Sequence, residues 1–146
     1  MKVLFISPEL KYNTDTPPMP LGLMAIGTYL KKLGHEVRIF NRSIHTDSLS
    51  ELCRDFGPDI VGITIISTRM VEDAIKVSRF FKTEGIPVVW GGIFPSTMPG
   101  VILKENYVDF ISIGEGEKTW AELLYAIEKG LDLSEIKGQP LKKMEK

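Results

Sequence analysis

Cysteine is nearly missing from this chain: Cys53 stands alone among 146 residues. A single thiol closes no internal disulfide, builds no structural zinc site and holds no iron–sulfur cluster, which takes several thiolates. Histidine is almost as scarce. His35, after Gly34 and just before a strand, reads as a surface residue; His45, with Asn41, Arg42 and Asp47 nearby, reads as a solvated loop residue. Neither has a partner at metal-ligand spacing, and no Ser–His–Asp arrangement can be built. A charge excess is lacking too: the formal net charge is −1 with 25% charged residues, which gives neither nucleic acid nor an anionic membrane surface a reason to bind. No apolar run approaches the ~20 residues that cross a bilayer. The short run at residues 3–6 turns at once into Ser7-Pro8-Glu9, so it reads as a buried strand of a cytoplasmic protein rather than a signal core.

The usual phosphate-binding signatures are also missing. No GxGxxG follows the first strand; Gly114-Glu115-Gly116-Glu117 lacks the third glycine and lies after the fifth. There is no Walker A sequence. A receiver-type aspartate is absent from the end of strand three, where Ile65-Ile66 stand, and Pro8-Glu9-Leu10-Lys11 is not a flavin phosphate turn.

What is present is a core-forming pattern. With 43% hydrophobic residues, the chain suits one domain with one core. Apolar runs at residues 3–6, 37–40, 60–66, 86–90 and 108–113 are mostly continuous and rich in Val and Ile, as strands covered on both faces are. Between them lie helical faces: Leu23, Ile26, Leu30 and Leu33; Val71, Ala74, Ile75 and Val77 with Phe81; Trp120, Leu123, Leu124 and Ile127. A shorter helix is expected over residues 47–56. Gly34, Gly57, Gly85 and Gly130 stand where helices stop. Alternating strands and helices predict an α/β fold with a doubly wound, Rossmann-like or flavodoxin-like, five-stranded parallel sheet of order 2-1-3-4-5 and helices on both faces. The domain is expected over residues 1–137. Residues 138–146 read as a polar tail or the start of a linker.

In such a sheet ligands bind beyond the carboxyl ends of the strands, where strand order reverses. The loop after strand one, residues 7–20, is far longer than the usual βα turn and is stiffened by Pro8, Pro17, Pro18 and Pro20. It leads into Pro20-Leu21-Gly22 at the head of a helix. Strand three ends in Thr64-Ile65-Ile66-Ser67-Thr68-Arg69; Ser67 or Thr68 suits an N-cap, and a helix N-terminus also offers free N–H groups. Strand four ends in Gly91-Gly92-Ile93-Phe94, whose glycines let a ligand approach the backbone closely. Strand five ends in Gly114 to Glu117, whose glutamates also complement a helix dipole. Four such loops around one crevice suit a large flat ligand with many amides and one phosphate better than a bare triphosphate.

Taken in order, Pro17-Pro18-Met19-Pro20-Leu21-Gly22-Leu23, Gly34-His35-Glu36-Val37, Pro58-Asp59-Ile60-Val61-Gly62-Ile63-Thr64, Val89-Trp90-Gly91-Gly92-Ile93-Phe94-Pro95-Ser96 and Val108-Asp109-Phe110-Ile111-Ser112-Ile113-Gly114-Glu115-Gly116-Glu117 resemble the cobalamin-binding domain that precedes the barrel of cobalamin-dependent radical-SAM enzymes. The resemblance covers nearly the whole chain. It implies that cobalamin sits at the carboxyl edge of the sheet, with its nucleotide tail in the crevice and its corrin toward a radical-SAM barrel in cis. It implies that Thr64, Ser67 and Thr68 line the tail slot, that Gly91, Gly92 and Ile93 let the tail pass, and that Gly114, Glu115, Gly116 and Glu117 bound it. The loop from Ser7 to Pro20-Leu21-Gly22 would lie near the corrin, and Arg69 or that loop would face the lower side of cobalt. Related cobalamin domains ligate cobalt through Asp-x-His-x-x-Gly after strand one, which is missing here, so base-off cobalamin without a histidine ligand is expected. Family members often carry histidine shortly after the glycine pair; here Phe94 stands instead. With no cluster cysteines the chain cannot itself cleave S-adenosylmethionine. That cofactor, the [4Fe–4S] cluster and the reaction, of methyltransferase type, would belong to a domain after Lys146. A cobalamin-free docking domain and a domain for another nucleotide cofactor stand as alternatives.

Overall fold

The computed structural model describes residues 1–10, 17–45 and 47–133, with the backbone of 140–142. Its sheet has the order β2-β1-β3-β4-β5 expected from the sequence, all parallel: β1 is Lys2–Ser7, β2 Glu36–Asn41, β3 Ile60–Thr64, β4 Val88–Gly91 and β5 Phe110–Ser112. A further strand, β6 (Pro140–Lys142), pairs antiparallel with β5 at the edge. It falls within residues 138–146, which the sequence pattern reads as a tail: three residues held by pairing with a distant strand carry no periodicity of their own.

The strands form where β-branched and aromatic residues run together, and alternation divides them between two layers. Leu4, Ile6, Val61, Ile63, Val88, Trp90 and Ile111 join one buried cluster with Phe56 and Phe81 of helices α2 (Leu49–Phe56) and α3 (Val71–Thr83). Val3, Phe5, Ile60, Val89 and Phe110 join the other with Leu23 and Leu30 of α1 (Leu21–Lys32) and Trp120, Leu123 and Leu124 of α6 (Gly116–Lys129). The first layer is closed by polar satisfaction as well as packing: the indole N–H of Trp90 donates to Ser78 Oγ at 2.8 Å, and that hydroxyl donates to the Ala74 carbonyl.

Helix ends follow their local chemistry. Ser48 and Glu51 form a capping box at the head of α2, so the helix begins slightly later than residue 47. Leu33, read as part of the buried face of α1, instead terminates the helix and is half exposed. Between β4 and β5 two short helices, α4 (Ile93–Thr97) and α5 (Pro99–Ile102), replace the single long helix of an ordinary βα unit; Pro95, Pro99 and Gly100 leave no room for a sustained periodic face. Among the described residues no helix is long and apolar enough to cross a membrane.

Two aspartates tie the amino edge of the sheet together. Asp59 accepts the N–H of Lys2 at 2.6 Å, joining the start of β3 to β1. Asp109 accepts the N–H of Val88 at 2.8 Å and an ion pair from Lys82 at 2.6 Å, joining the approach to β5 to β4 and α3.

Candidate functional site

A cavity of about 230 Å³ opens at the carboxyl edge, between the first turns of α1 and α6. Its floor is Phe5, Gly62, Ile63 and Trp120; Leu23 and Ile26 of α1 form one wall; Thr64, Gly91, Gly92 and Ser112 at the strand ends close the back. Gly62 makes the floor possible. A Cβ there would lie 2.5 Å from Trp120 Cζ2 and 2.6 Å from Phe5 Cδ1, so the two rings, edge to face at 4.8 Å, occupy the space a side chain would take. Gly116 is less constrained: a Cβ there would meet Ile26 Cδ1, the far end of a partly exposed side chain that can turn aside.

Of the residues marked in the sequence, Gly22, Thr64, Gly91, Gly92, Gly114, Glu115, Gly116 and Glu117 line this cavity. Gly22 and Gly114 have nothing within 4 Å of a would-be Cβ, so they leave open space. Gly92 is different. It has φ +98°, and a Cβ would meet the Ile65 carbonyl oxygen at 2.8 Å, while the Phe94 N–H donates to that same oxygen. The protein's own turn therefore requires Gly92 whatever else passes beside it.

The other marked residues stand around the mouth or apart from it. Ser7 is buried at the end of β1, its carbonyl accepting the N–H of Arg42. Pro20 and Leu21 open α1, with Leu21 69% exposed. Ser67 caps the 3-10 turn Thr68–Met70 by accepting the N–H of Arg69 at 3.3 Å, and both Thr68 and Arg69 are exposed. Ile93 is 68% exposed, whereas the Phe94 ring turns inward and packs against the α2–α3 layer. Met19, Leu21, Ile66 and Ile93 thus leave an apolar rim around the carboxyl edge. Sequence reasoning missed Phe5, Leu23, Ile26, Gly62, Ile63, Ser112 and Trp120. Only Gly62, a glycine inside a Val/Ile strand, carries a signal of close approach; the rest read as ordinary core.

The lining carries two carboxylates, Glu115 and Glu117, and no lysine or arginine, which disfavours a polyanion and admits a largely neutral group. Neither histidine lines it. His35 is not the surface residue its position suggested: its side chain is 10% exposed, its Nδ1 sits 3.2 Å from the Met1 amino group, and burial followed by that amine pushes its pKa down. His45 is exposed, stacks on Phe40 at 4.9 Å and is tied to the Asn41 backbone through Nδ1. Among the described residues no group of three or more His, Cys, Asp and Glu could hold a metal ion.

The B12 binding domain family matches residues 11–124 of this sequence. An uncharacterized methyltransferase of Pyrococcus horikoshii is 32% identical over 94% of the chain, which covers 32% of that protein. The anaerobic magnesium-protoporphyrin IX monomethyl ester cyclase of a Synechocystis strain is 31% identical over 94% of the chain, which covers 30% of it. Among solved structures, the radical S-adenosylmethionine methyltransferase TsrM of Kitasatospora setae, with cobalamin and a [4Fe–4S] cluster bound, superposes with a TM-score of 0.82 at 28% identity, over 94% of this chain and 28% of its own. The chain thus spans about a third of the length of the curated relatives it matches.

Proposed function

This chain belongs to the B12 binding domain family, and we propose that it holds cobalamin with the nucleotide tail in the cavity between α1 and α6 and the corrin outside, over the apolar rim. The observation that carries the reading is the glycine-walled cavity at the carboxyl edge, where Gly22, Gly91 and Gly114 keep side chains out of the space. At about 230 Å³ it is smaller than the ~300–1,000 Å³ of ordinary ligand pockets, so it suits an arm of the cofactor and not the macrocycle. Thr64 and Ser112 stand at its back as hydroxyl partners for that arm, and the aromatic floor of Phe5 and Trp120 suits a flat base. Met19, Leu21, Ile66 and Ile93 offer the corrin an apolar seat. We assign Arg69 and the loop ending at Pro20 to the side of the cobalt's lower face, with Ser67 and Thr68 beside the tail.

The cofactor is held base-off and without a histidine ligand. In support, His35 lies by the Met1 amine, at the amino edge and away from the rim, and His45 Nδ1 is engaged with the Asn41 backbone. When bound, cobalamin supplies a cobalt centre able to carry a methyl group. The chain's own part is to bind the tail, orient the corrin and exclude water beneath it. The reaction, of methyltransferase type, belongs to a longer protein in which a radical-SAM domain brings S-adenosylmethionine and the [4Fe–4S] cluster. Similarity to TsrM supports this, as does the lone Cys53, which cannot hold a cluster.

The test is to mix the purified chain with hydroxocobalamin and desalt it. A retained corrin with a base-off visible spectrum is expected, unchanged by His35→Ala and His45→Ala. A colourless eluate, or heat released in a titration with flavin mononucleotide instead, would overturn the reading. A spectrum altered by either histidine variant would overturn the ligand-free lower face alone.

A further inference from the structure

The chain buries few polar side chains, and two of them, Asn41 and Asp73, are 4% and 5% exposed and serve the same segment. Asp73, in the first turn of α3, accepts three hydrogen bonds. Arg42 gives two, from Nε at 2.6 Å and a terminal nitrogen at 2.9 Å, and the Glu9 N–H gives the third at 2.8 Å. Asn41, at the end of β2, donates from Nδ2 to the Pro18 carbonyl at 3.1 Å and accepts the Ser43 N–H through Oδ1 at 3.0 Å. Ser43 in turn accepts the Leu10 N–H through Oγ at 3.2 Å. Both flanks of the loop between β1 and α1 are therefore fastened by residues 41–43 and by Asp73. The rear flank, Pro18 to Pro20, leads directly into Gly22, Leu23 and Ile26 of the cavity wall.

Packing alone does not call for this arrangement. A buried carboxylate is expensive unless fully paired, and an apolar substitute of similar shape is often as stable. What a two-pronged guanidinium pair adds is direction. Asp73 also follows closely after the turn that carries Thr68 and Arg69. One carboxylate thus links the loop before α1 to the turn after β3.

We propose that Arg42 and Asp73 are positioning residues for the cofactor, a clasp that sets the loop flanks and the head of α1 in the geometry that receives cobalamin. The clasp rests on the cobalamin reading of the site. Arg42 and Asp73 touch no cofactor themselves; they act through Glu9, and through Asn41 and Ser43, on the wall. A clasp of this kind fixes where the flanks, Glu9-Leu10 and Pro18, stand before ligand arrives, so that less order is lost on binding.

The experiment measures hydroxocobalamin affinity, melting temperature and amide exchange at Glu9 and Leu10 for the full chain and for Asp73→Asn, Arg42→Lys and Asp109→Asn. Asp109→Asn weakens a different ion pair, Lys82–Asp109, at the amino edge, and reports what loss of stability alone does. Affinity is read well below every melting point. Asp73→Asn is expected to bind about tenfold more weakly or worse and to exchange faster at Glu9. Arg42→Lys, which keeps the charge and loses the fork, should fall between it and the parent. Asp109→Asn should melt earlier with unchanged affinity. Parent-like affinity in Asp73→Asn, or an equal loss in Asp109→Asn, would overturn the clasp while leaving cobalamin binding intact. Failure of the parent chain to bind would instead overturn the cobalamin reading, and the clasp with it.

Discussion

The two edges of the sheet are finished by different residues, aspartates at one and glycines at the other. At the amino edge, Pro58-Asp59-Ile60 and Val108-Asp109-Phe110 share a pattern, and each aspartate satisfies a backbone N–H of the neighbouring strand. At the carboxyl edge, Gly22 in the first turn of α1 and Gly114 just before α6 leave space that no atom of the protein fills within 4 Å of a would-be Cβ. One edge is closed by hydrogen bonds and the other is left open by missing side chains. The same strands carry both, so variants at the two edges should separate stability from ligand retention.

The hardest blow to that separation falls where the edges share a residue. Gly62 lies inside β3, but its missing Cβ is also where Phe5 and Trp120 meet to floor the cavity. Gly62→Ala must push one ring aside. It should cost about 3 kcal/mol, near the upper end for overpacking in a core, and should weaken cobalamin retention as well. Chemical denaturation and the desalting assay check the two halves. Loss of stability with full retention would show that the floor is not used by the ligand.

Asp109→Ala tests the amino edge by itself. It leaves the Val88 N–H without its acceptor and Lys82 without its partner, and should cost about 2 kcal/mol. The folded fraction should bind cobalamin as the parent does. A binding defect that persists far below the melting point would break the division between edges.

That division also shows what the sequence could reveal. The five parallel strands and their order are legible because buried parallel strands read as continuous Val/Ile runs, and because positive-φ glycines such as Gly57 and Gly130 close their helices. The location of the site is legible from topology. Its floor is not. Trp120 falls on a helical apolar face and Phe5 in an apolar strand, so both look like core until Gly62 is known to lie between them. Gly92 lines the cavity but answers a second demand as well: a glycine pair announces a tight approach without saying to what, and here one partner is the Ile65 backbone. The clasp is invisible along the chain because Glu9 and Arg42 come from two different connections and Asp73 from the first turn of α3.

The smallest effect is the most discriminating, because its two readouts should move in opposite directions. Gly22 is the second residue of α1, its backbone is ordinary helix, and nothing lies within 4 Å of a Cβ placed on it. Gly22→Ala should therefore raise stability, by up to about 1 kcal/mol, since alanine loses less backbone entropy in a helix than glycine. The same methyl group narrows the mouth of the cavity and should lower cobalamin affinity; Gly22→Leu should keep the gain in stability and block retention. A glycine that runs against its own helix's preference is hard to explain by folding alone, and melting curves read beside retained corrin absorbance decide it. If both variants are stabilised and both retain cobalamin like the parent, the tail does not pass between α1 and α6, and the open edge was left open for something else.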